Sequence, residues 1–218
     1  MKNEIIEDYL KSIYILQREK KNVATTTLAR RLNIAPASVT GMIKKLADMN
    51  LITYEPYQGV QLTKAGKNIA LEVIRHHRLV ELFLSEALGV PWDKVHEEAE
   101  KWEHVLSEDL EERIDEMLGY PTHDPHGSPI PDRSGEMASR SALSLADLKP
   151  GDSASIVEVS DRDPDLLRYL GSMGLYPKSE VAVVEIAPFD GPIKIVINDE
   201  EYMLGKKVAN QIYVSTTA

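Results

Sequence analysis

The chain has 218 residues, 43% of them apolar, no cysteine and a formal net charge of −10. That length accommodates one large domain or two to three small ones, and the absence of cysteine excludes disulfides, thiolate metal ligands and cysteine nucleophiles. No stretch approaches the roughly 20 apolar residues of a membrane span, and the opening MKNEIIEDYL is too polar for a secretory signal, so the expectation is a cytoplasmic protein with no membrane partner. The acidic total hides an asymmetry. Residues 1–72 carry eleven Lys and Arg against seven Asp and Glu, a net of +4, and the remaining residues carry a net of −14. A basic module joined to an acidic body is the reading this favours.

In chain order, Ile5, Ile6, Tyr9, Leu10, Ile13, Tyr14 and Leu16 recur at helical spacing and predict an opening amphipathic helix. ATTTLARRLNI reads as a short helix begun by a threonine cap around Thr25 to Thr27, and APASVTGMIKKLADMNLI as a longer one with Pro36 in its first turn. ITYEPYQGVQLT alternates and breaks at Gln58-Gly59, which predicts a hairpin. Thr63 caps a helix from about Lys64 to Leu88, stopped by Gly89-Val90-Pro91. A further helix is expected over Trp92 to Leu118, then a Gly- and Pro-rich loop with residues 127–141 as a linker. From Leu143 the runs SASIVEVS, SEVAVVEIA, IKIVIN, EYMLG and QIYVS predict a small β-barrel, with a helical piece, DPDLLRYLGSMGL, between the first two.

The order helix, helix, hairpin predicts a winged helix-turn-helix over residues 1–72 that reads double-stranded DNA. The candidate contacts are Pro36, Ala37, Ser38, Thr40 and Gly41 at the tip of the reading helix, Lys44 and Lys45 further along it, Arg30 and Arg31 on the preceding helix, and Tyr57 with Gln58 at the wing. The small tip residues favour close approach and methyl contacts over bidentate hydrogen bonds.

All six histidines lie between positions 76 and 126. In HEEAEKWEH, at roughly 100° of rotation per residue, His96, Glu100, Glu103 and His104 share one arc of a helix, and His77 and Glu81 share a face of another. Packed together, such faces form a divalent-metal site. A solvated charged face is the bland alternative, and it suits Glu97, Glu98 and Lys101, while His76, with Val73, Leu79 and Val80 as helical neighbours, reads as a structural histidine. Oxygen and nitrogen donors without sulfur suit Mn(II), and also Fe(II) or Co(II).

Taken together, EDYLKSIYIL, APASVTGMIKKL, HHRLVELFL, VHEEAEKWEHVLSEDLEERI, HGSPIP and the β-rich C-terminus resemble the diphtheria toxin repressor family of metal-activated transcriptional repressors. The resemblance covers essentially the whole chain. It implies a mainly α protein with a small all-β C-terminal domain: a winged helix-turn-helix over 1–72, a helical dimerisation and metal-binding domain with its linker over 73–142, and an SH3-like domain over 143–218. It implies a dimeric repressor of metal-uptake genes, a homodimer on palindromic operator DNA. Trp102, Val105, Leu106, Leu110 and the Trp92 region are candidates for the dimer contact.

By position, the resemblance places a primary metal site on Asp8, Glu100, Glu103 and His104, and an ancillary site on His77, Glu81 and His96 with Asp163 from the C-terminal domain. Asp8 and Glu100 stand where iron-responsive members carry methionine and cysteine, which resembles the manganese-responsive branch. Two departures matter. Lys11 stands where short manganese regulators carry a glutamate, which favours two separated sites over a close two-ion cluster. Leu166 stands where the iron-type pattern has a glutamine ligand, and Asp124 and His126 of THDPHG are candidates to fill that gap; His123 is expected to be solvent-exposed. The rival readings are an Fe(II)- or Zn(II)-responsive member of the same family, a winged-helix sensor of an organic ligand, and a Mn-dependent hydrolytic metalloenzyme. The last lacks an evident general base.

Overall fold

The computed structural model describes residues 4–18, 21–55, 58–137 and 143–216. They group into two compact units: Met1–His77 with Glu100–Glu111 and Pro131–Glu136, and Arg78–Ala99 with Glu112–Ile130 and Met137–Ala218.

In the first unit, α1 (Glu4–Gln17), α2 (Thr25–Leu32) and α3 (Pro36–Asp48) precede an antiparallel hairpin, β1 (Ile52–Glu55) and β2 (Gly59–Leu62). The apolar faces close over Leu10, Ile13, Leu28, Val39, Ile43, Leu46 and Val60, all fully buried. Each such side chain is worth about 1.5–3 kcal/mol of burial. Pro36 opens α3, where its missing N–H costs nothing. The expected threonine cap of α2 is not formed. The cap residue is Ala24, with no side-chain bond, and α2 closes instead on Asn33 in the left-handed region at φ 53°. Thr63 does cap α4 (Lys64–Leu88): its Oγ1 accepts from Gly66 N at 3.2 Å and donates to Asn50 O at 2.8 Å.

The long helix expected over Trp92 to Leu118 is two. α5 runs Val95–Trp102 and α6 runs Glu108–Met117, with a turn between them. Glu103 and His104 therefore leave the helical arc that periodicity assigned them. Ser107 starts the new helix, its Oγ accepting from Leu110 N at 3.3 Å. The start of α6 is anchored to α4. Glu111 receives Arg75 Nε at 2.6 Å and His76 Nε2 at 3.1 Å, and His76 Nδ1 donates to the Glu103 carbonyl at 3.1 Å.

The hydrogen bond from His76 outweighs burial and, with Arg75, lowers the Glu111 carboxyl from 4.5 to about 2. A lowered carboxylate stabilises the fold above its ordinary pKa, and that contribution is lost as pH falls from 4.5 toward about 2. Glu111→Gln should therefore cost roughly 1–2 kcal/mol at neutral pH, after discounting for solvent screening. The difference from wild type should vanish in denaturant titrations at the acid end of that window. A gap independent of pH would remove the ion pair as its cause.

The second unit holds six antiparallel strands in the order β3-β8-β4-β5-β6-β7. They are β3 (Leu143–Ser144), β4 (Ser153–Val159), β5 (Glu180–Ile186), β6 (Ile193–Ile197), β7 (Glu200–Leu204) and β8 (Ile212–Thr216). Alternation buries Ala154, Ile156, Val181, Val183, Ile193, Ile195 and Ile197 against Leu167 and Leu170 of α7 (Pro164–Ser172). The register shifts at Ile156/Glu158 and Val183/Glu185, bulges that bend a sheet. A short helix, α8 (Lys206–Ala209), precedes β8.

Trp92, named with the dimer candidates, is half-buried and packs within its own unit. Its ring lies 4.7 Å from Tyr176 and it packs on the β-rich core. Residues 127–131, expected in a linker, are buried instead. Asp124 Oδ1 accepts from His126 N and Ser128 N, both at 2.9 Å, and Ser128 Oγ donates to Glu158 at 2.9 Å. The Gly and Pro content read as flexibility, but an Asx-type turn satisfies the backbone and lets the segment go inside. Residues 138–142 lie outside the described residues.

Candidate metal centres and DNA-reading surface

In the first unit, Asp8 on α1 meets the turn after α5. Asp8, Glu103 and His104 present ligand-type atoms within 4.8 Å of one another. His104 Nε2 lies 3.0 Å from Asp8 Oδ1 and 3.4 Å from Glu103 Oε1. On its other side His104 Nδ1 lies 2.7 Å from the Glu7 carboxylate. That pairing holds the ring through Nδ1–H and leaves Nε2 facing Asp8 and Glu103, the nitrogen a divalent ion would take in place of a proton. Glu7, 7% exposed, escaped the sequence reading. A glutamate on the buried face of an amphipathic helix was the available signal.

Burial raises the Asp8 carboxyl, opposed by His104 and reinforced by Glu103 and Glu100. Burial pulls the His104 ring down, but Glu7, Glu103 and Asp8 outweigh it and raise its pKa. Burial and the neighbouring Glu103 and Glu100 disfavour the charged form of Asp8, a cost that a bound cation would relieve.

Glu100, the fourth predicted member, is 45% exposed along its side chain and turns to Lys11, whose Nζ it meets at 2.8 Å. Lys11 also reaches both Glu103 oxygens, at 3.0 and 2.7 Å. His77, expected in the ancillary set, lies in this unit beside Glu103 Oε2, to which it hydrogen-bonds, and 3.2 Å from Lys11 Nζ.

The second unit gathers a different set. Glu81, Asp124 and His126 are all buried and bring ligand-type atoms within 4.8 Å of one another; Glu81, His96 and Asp161 do the same. His96 Nδ1 meets Glu81 Oε1 at 3.1 Å. His126 Nε2 donates to the Trp92 carbonyl at 2.7 Å, which leaves Nδ1 facing Glu81 Oε2 at 3.8 Å.

Among the described residues, Asp124 Oδ2 and His126 Nδ1 are buried with no hydrogen-bond partner. Leaving such groups unsatisfied costs about 1–3 kcal/mol each, more when charged, so buried orphans call for an ion or an equivalent partner. Burial, then the facing Glu81, raises the Asp124 carboxyl to about 7, against the pull of Arg78, whose Nε is 3.6 Å away. Burial opposes the charged His126 ring, but Glu81 and Asp124 raise it to about 9. Carboxylates and an imidazole nitrogen converging on buried, unsatisfied atoms fit a hard divalent ion.

Asp163 does not join this group. It is exposed and caps α7, accepting from Asp165 N at 2.9 Å and Leu166 N at 3.4 Å. Asp161, two residues earlier, takes the place expected of it. Asp-Pro opening a helix is a capping signal, and that could have separated the two aspartates. His123 is exposed.

On the DNA-reading side, Pro36, Ala37, Ser38, Gly41, Lys44, Lys45 and Arg30 are exposed, while Thr40 and Arg31 are half-buried. A methyl group built on Gly41 would meet nothing within 4 Å, so the helix tip is open to close approach. Thr40 Oγ1 donates to Pro36 O at 3.0 Å, so in this arrangement its hydrogen is turned to the helix backbone and not to DNA. Gln58 is exposed, and Asn22 Nδ2 donates to its carbonyl at 3.0 Å. Tyr57 lies outside the described residues.

Three family descriptions match the chain: the iron-dependent repressor N-terminal DNA-binding domain over residues 1–60, the iron-dependent repressor metal-binding and dimerisation domain over 63–132, and the FeoA domain over 143–216. The iron-dependent repressor IdeR of Mycobacterium leprae is 31% identical over 220 residues, covering 95% of each chain. The diphtheria toxin repressor of Corynebacterium efficiens is 30% identical over 188 residues, 82% of each. Among solved structures, a manganese-dependent transcriptional repressor in complex with manganese superposes with a TM-score of 0.90 at 37% identity, over 97% of this chain and 100% of that one. The manganese-activated repressor ScaR in its apo form gives 0.82 at 33% identity, over 96% and 100%.

The fold and its paired His/carboxylate clusters thus define a metal-dependent transcriptional repressor, not an enzyme. The chain belongs to the diphtheria toxin repressor family, whose members use divalent metals to control DNA binding. No helix among the described residues is long and apolar enough to cross a membrane.

Proposed function

We propose that this chain is a manganese-activated, dimeric repressor of metal-uptake genes that binds palindromic operator DNA. The observation that carries the reading is the donor chemistry. Asp8, Glu103 and His104 in one unit, and Glu81, His96, Asp124, His126 and Asp161 in the other, offer hard oxygens and imidazole nitrogens and no sulfur. Such donors favour Mn(II) over softer ions, and Fe(II) and Co(II) are the nearest competitors. The manganese complex among the similar solved structures agrees with this choice.

Asp8, Glu103 and His104 would hold the ion, which would neutralise charge across the cluster. The residues do the rest. Glu7 orients the His104 ring, His76 pins the Glu103 backbone, and Asp8 brings in α1, on which the reading helix α3 is packed through α2. Drawing α1 toward the Glu103 turn biases the orientation of the DNA-reading helices, a shift among pre-existing arrangements. By linkage, operator binding must then tighten metal binding by the same factor.

Trp102, Val105 and Leu110 remain exposed within residues 102–110, with Val105 at 72%, and are the surface we assign to the dimer contact; Leu106 is buried. Two-fold symmetry would match a palindromic site.

The test is operator binding by the demetallated protein against protein loaded with Mn(II), or with Fe(II) under anaerobic conditions. Manganese should tighten binding by roughly 5- to 150-fold, the usual span of such coupling. Equal binding with and without metal would end the metal-switch reading. Activation by Fe(II) at lower free concentration than Mn(II) would reassign the metal.

A further inference from the structure

Trp92 meets the second-unit cluster with its backbone and the β-rich core with its ring. Its carbonyl accepts from His126 Nε2 at 2.7 Å. Its indole stacks on the same imidazole, with centroids 5.7 Å apart and planes 29° from parallel. Tyr176 also packs on the indole, 4.7 Å away and tilted by 51°. Gly171 of α7 closes this contact. A methyl group built there would stand 2.9 Å from Tyr176 Oη and 3.2 Å from Trp92 Nε1. The next residue, Asp93, is buried and accepts from Arg168 Nη1, also on α7, at 3.1 Å. The segment before α5 is therefore fastened to α7 and Tyr176, and it fastens His126 in turn.

His126 is fully buried and held by both its backbone and its ring. Its carbonyl accepts from Val159 N on β4 at 2.9 Å. A carbonyl can only accept, so Nε2 must carry the proton it gives to Trp92. Nδ1, with no hydrogen-bond partner, is left facing Glu81 Oε2 at 3.8 Å. Flipping the ring would break the bond to Trp92 inside a buried site, where an unmade bond is costly. The orientation of the donor nitrogen is thus decided by where residue 92 sits.

We propose that Trp92 is a positioning residue of the second-unit site: its carbonyl selects the His126 nitrogen presented to the ion, and its indole makes that selection depend on the packing of Tyr176 and α7. The inference rests on the second-unit site proposed above. Tyr176 belongs to none of the candidate ligand groups, yet it governs the affinity of this site. The partner of a ligating histidine's other nitrogen fixes its ring, and losing such a partner costs about 10- to 100-fold in metal affinity. The first-unit site shares none of these residues and is indifferent to them.

The experiment titrates the full chain with Mn(II), reading free Mn(II) by room-temperature EPR, with metal-free melting curves alongside. Tyr176→Ala should weaken the second-unit site by about 10- to 100-fold and leave the first-unit affinity at its wild-type value. Tyr176→Phe keeps the ring, giving up only the 3.3 Å contact from Oη to Gly171 O, and should restore the affinity. Trp92→Phe should weaken the same site, and the double variant Trp92→Phe, Tyr176→Ala should lose less than the sum of the two, because both act through one contact. Wild-type second-site affinity in folded Tyr176→Ala overturns the proposal. So do equal losses at both sites, which would report general loosening, and strictly additive losses in the double variant. If Tyr176→Ala fails to melt cooperatively, Gly171→Ala, which wedges the same contact, decides. His126→Gln separates the two levels. If it leaves both affinities unchanged, the second-unit site itself is wrong. If it removes one ion while the Tyr176 and Gly171 variants do not weaken it, only the role of Trp92 falls.

Discussion

Glu103→Gln should lower Mn(II) affinity at the first-unit site by about 100-fold or more, the upper range already seen for residues that merely support a ligand. It should also leave operator binding nearly indifferent to manganese. Glu103 is 1% exposed and stands among Asp8, Lys11, His77 and His104. One oxygen lies 3.4 Å from His104 Nε2, both accept from Lys11, and the second hydrogen-bonds His77. The amide keeps the shape and the enclosure but removes the charge, so a loss of metal response would report chemistry and not collapse. Manganese titration with an EPR readout measures it, with Glu97→Gln, an exposed position on α5, as the control. Wild-type affinity in Glu103→Gln would show that the ion does not use this residue.

Gly127→Ala should unfold the second unit at lower temperature and disperse its candidate metal site together. Gly127 has φ +85°, and a Cβ there would stand 2.0 Å from the Val157 carbonyl oxygen and 2.9 Å from Glu158 Cα. Both obstacles are backbone of β4, which cannot swing aside as a side chain would. Left-handed strain and the clash together should cost about 3–4 kcal/mol, at the upper end of single substitutions. For a chain of this size that is a fall in Tm of roughly 6–16 °C. The neighbouring His126 carbonyl accepts from Val159 N at 2.9 Å, so moving the loop off β4 also displaces His126 and Asp124 from Glu81. A variant with unchanged Tm and an intact second ion would mean that this close approach does not hold the loop in place.

Much of the fold is written in local pattern. Helical spacing over Ile5 to Leu16 and strand alternation from Ser153 onward correspond to α1 and to the sheet, because periods of 3.6 and 2 follow from backbone geometry alone. The same local reasoning failed where a tertiary contact overrode it. Trp92 to Leu118 reads as one amphipathic stretch, yet the chain turns at Glu103 to Ser107, where His76 and Lys11 take up the Glu103 backbone and side chain. Residues 127–131 read as linker, yet Asp124 turns them inward and Glu158 receives Ser128.

The candidate centres divide in the same way. Helical spacing and clustering of the histidines singled out His77, Glu81, His96, Glu100, Glu103 and His104 for metal chemistry, and only the family resemblance added Asp8, Asp124 and His126. Spacing alone could not pick Asp161 over Asp163, although the Asp-Pro pair that caps α7 is a local signal that separates them. Nor could it show Glu7 behind His104, or Lys11 against Glu100 and Glu103 across 89 and 92 residues.

By itself, then, the sequence determined the element types, the basic reading head on an acidic body, and the hard oxygen-and-nitrogen donor chemistry, since these depend on side-chain identity and on neighbours within a few residues. Only the tertiary structure decided which donors meet, which ring nitrogen each histidine turns to a cation, and that a lysine shares the first cluster. Those outcomes are set by contacts between distant segments under burial, where an unpaired charge is costly and each group must find its partner in space.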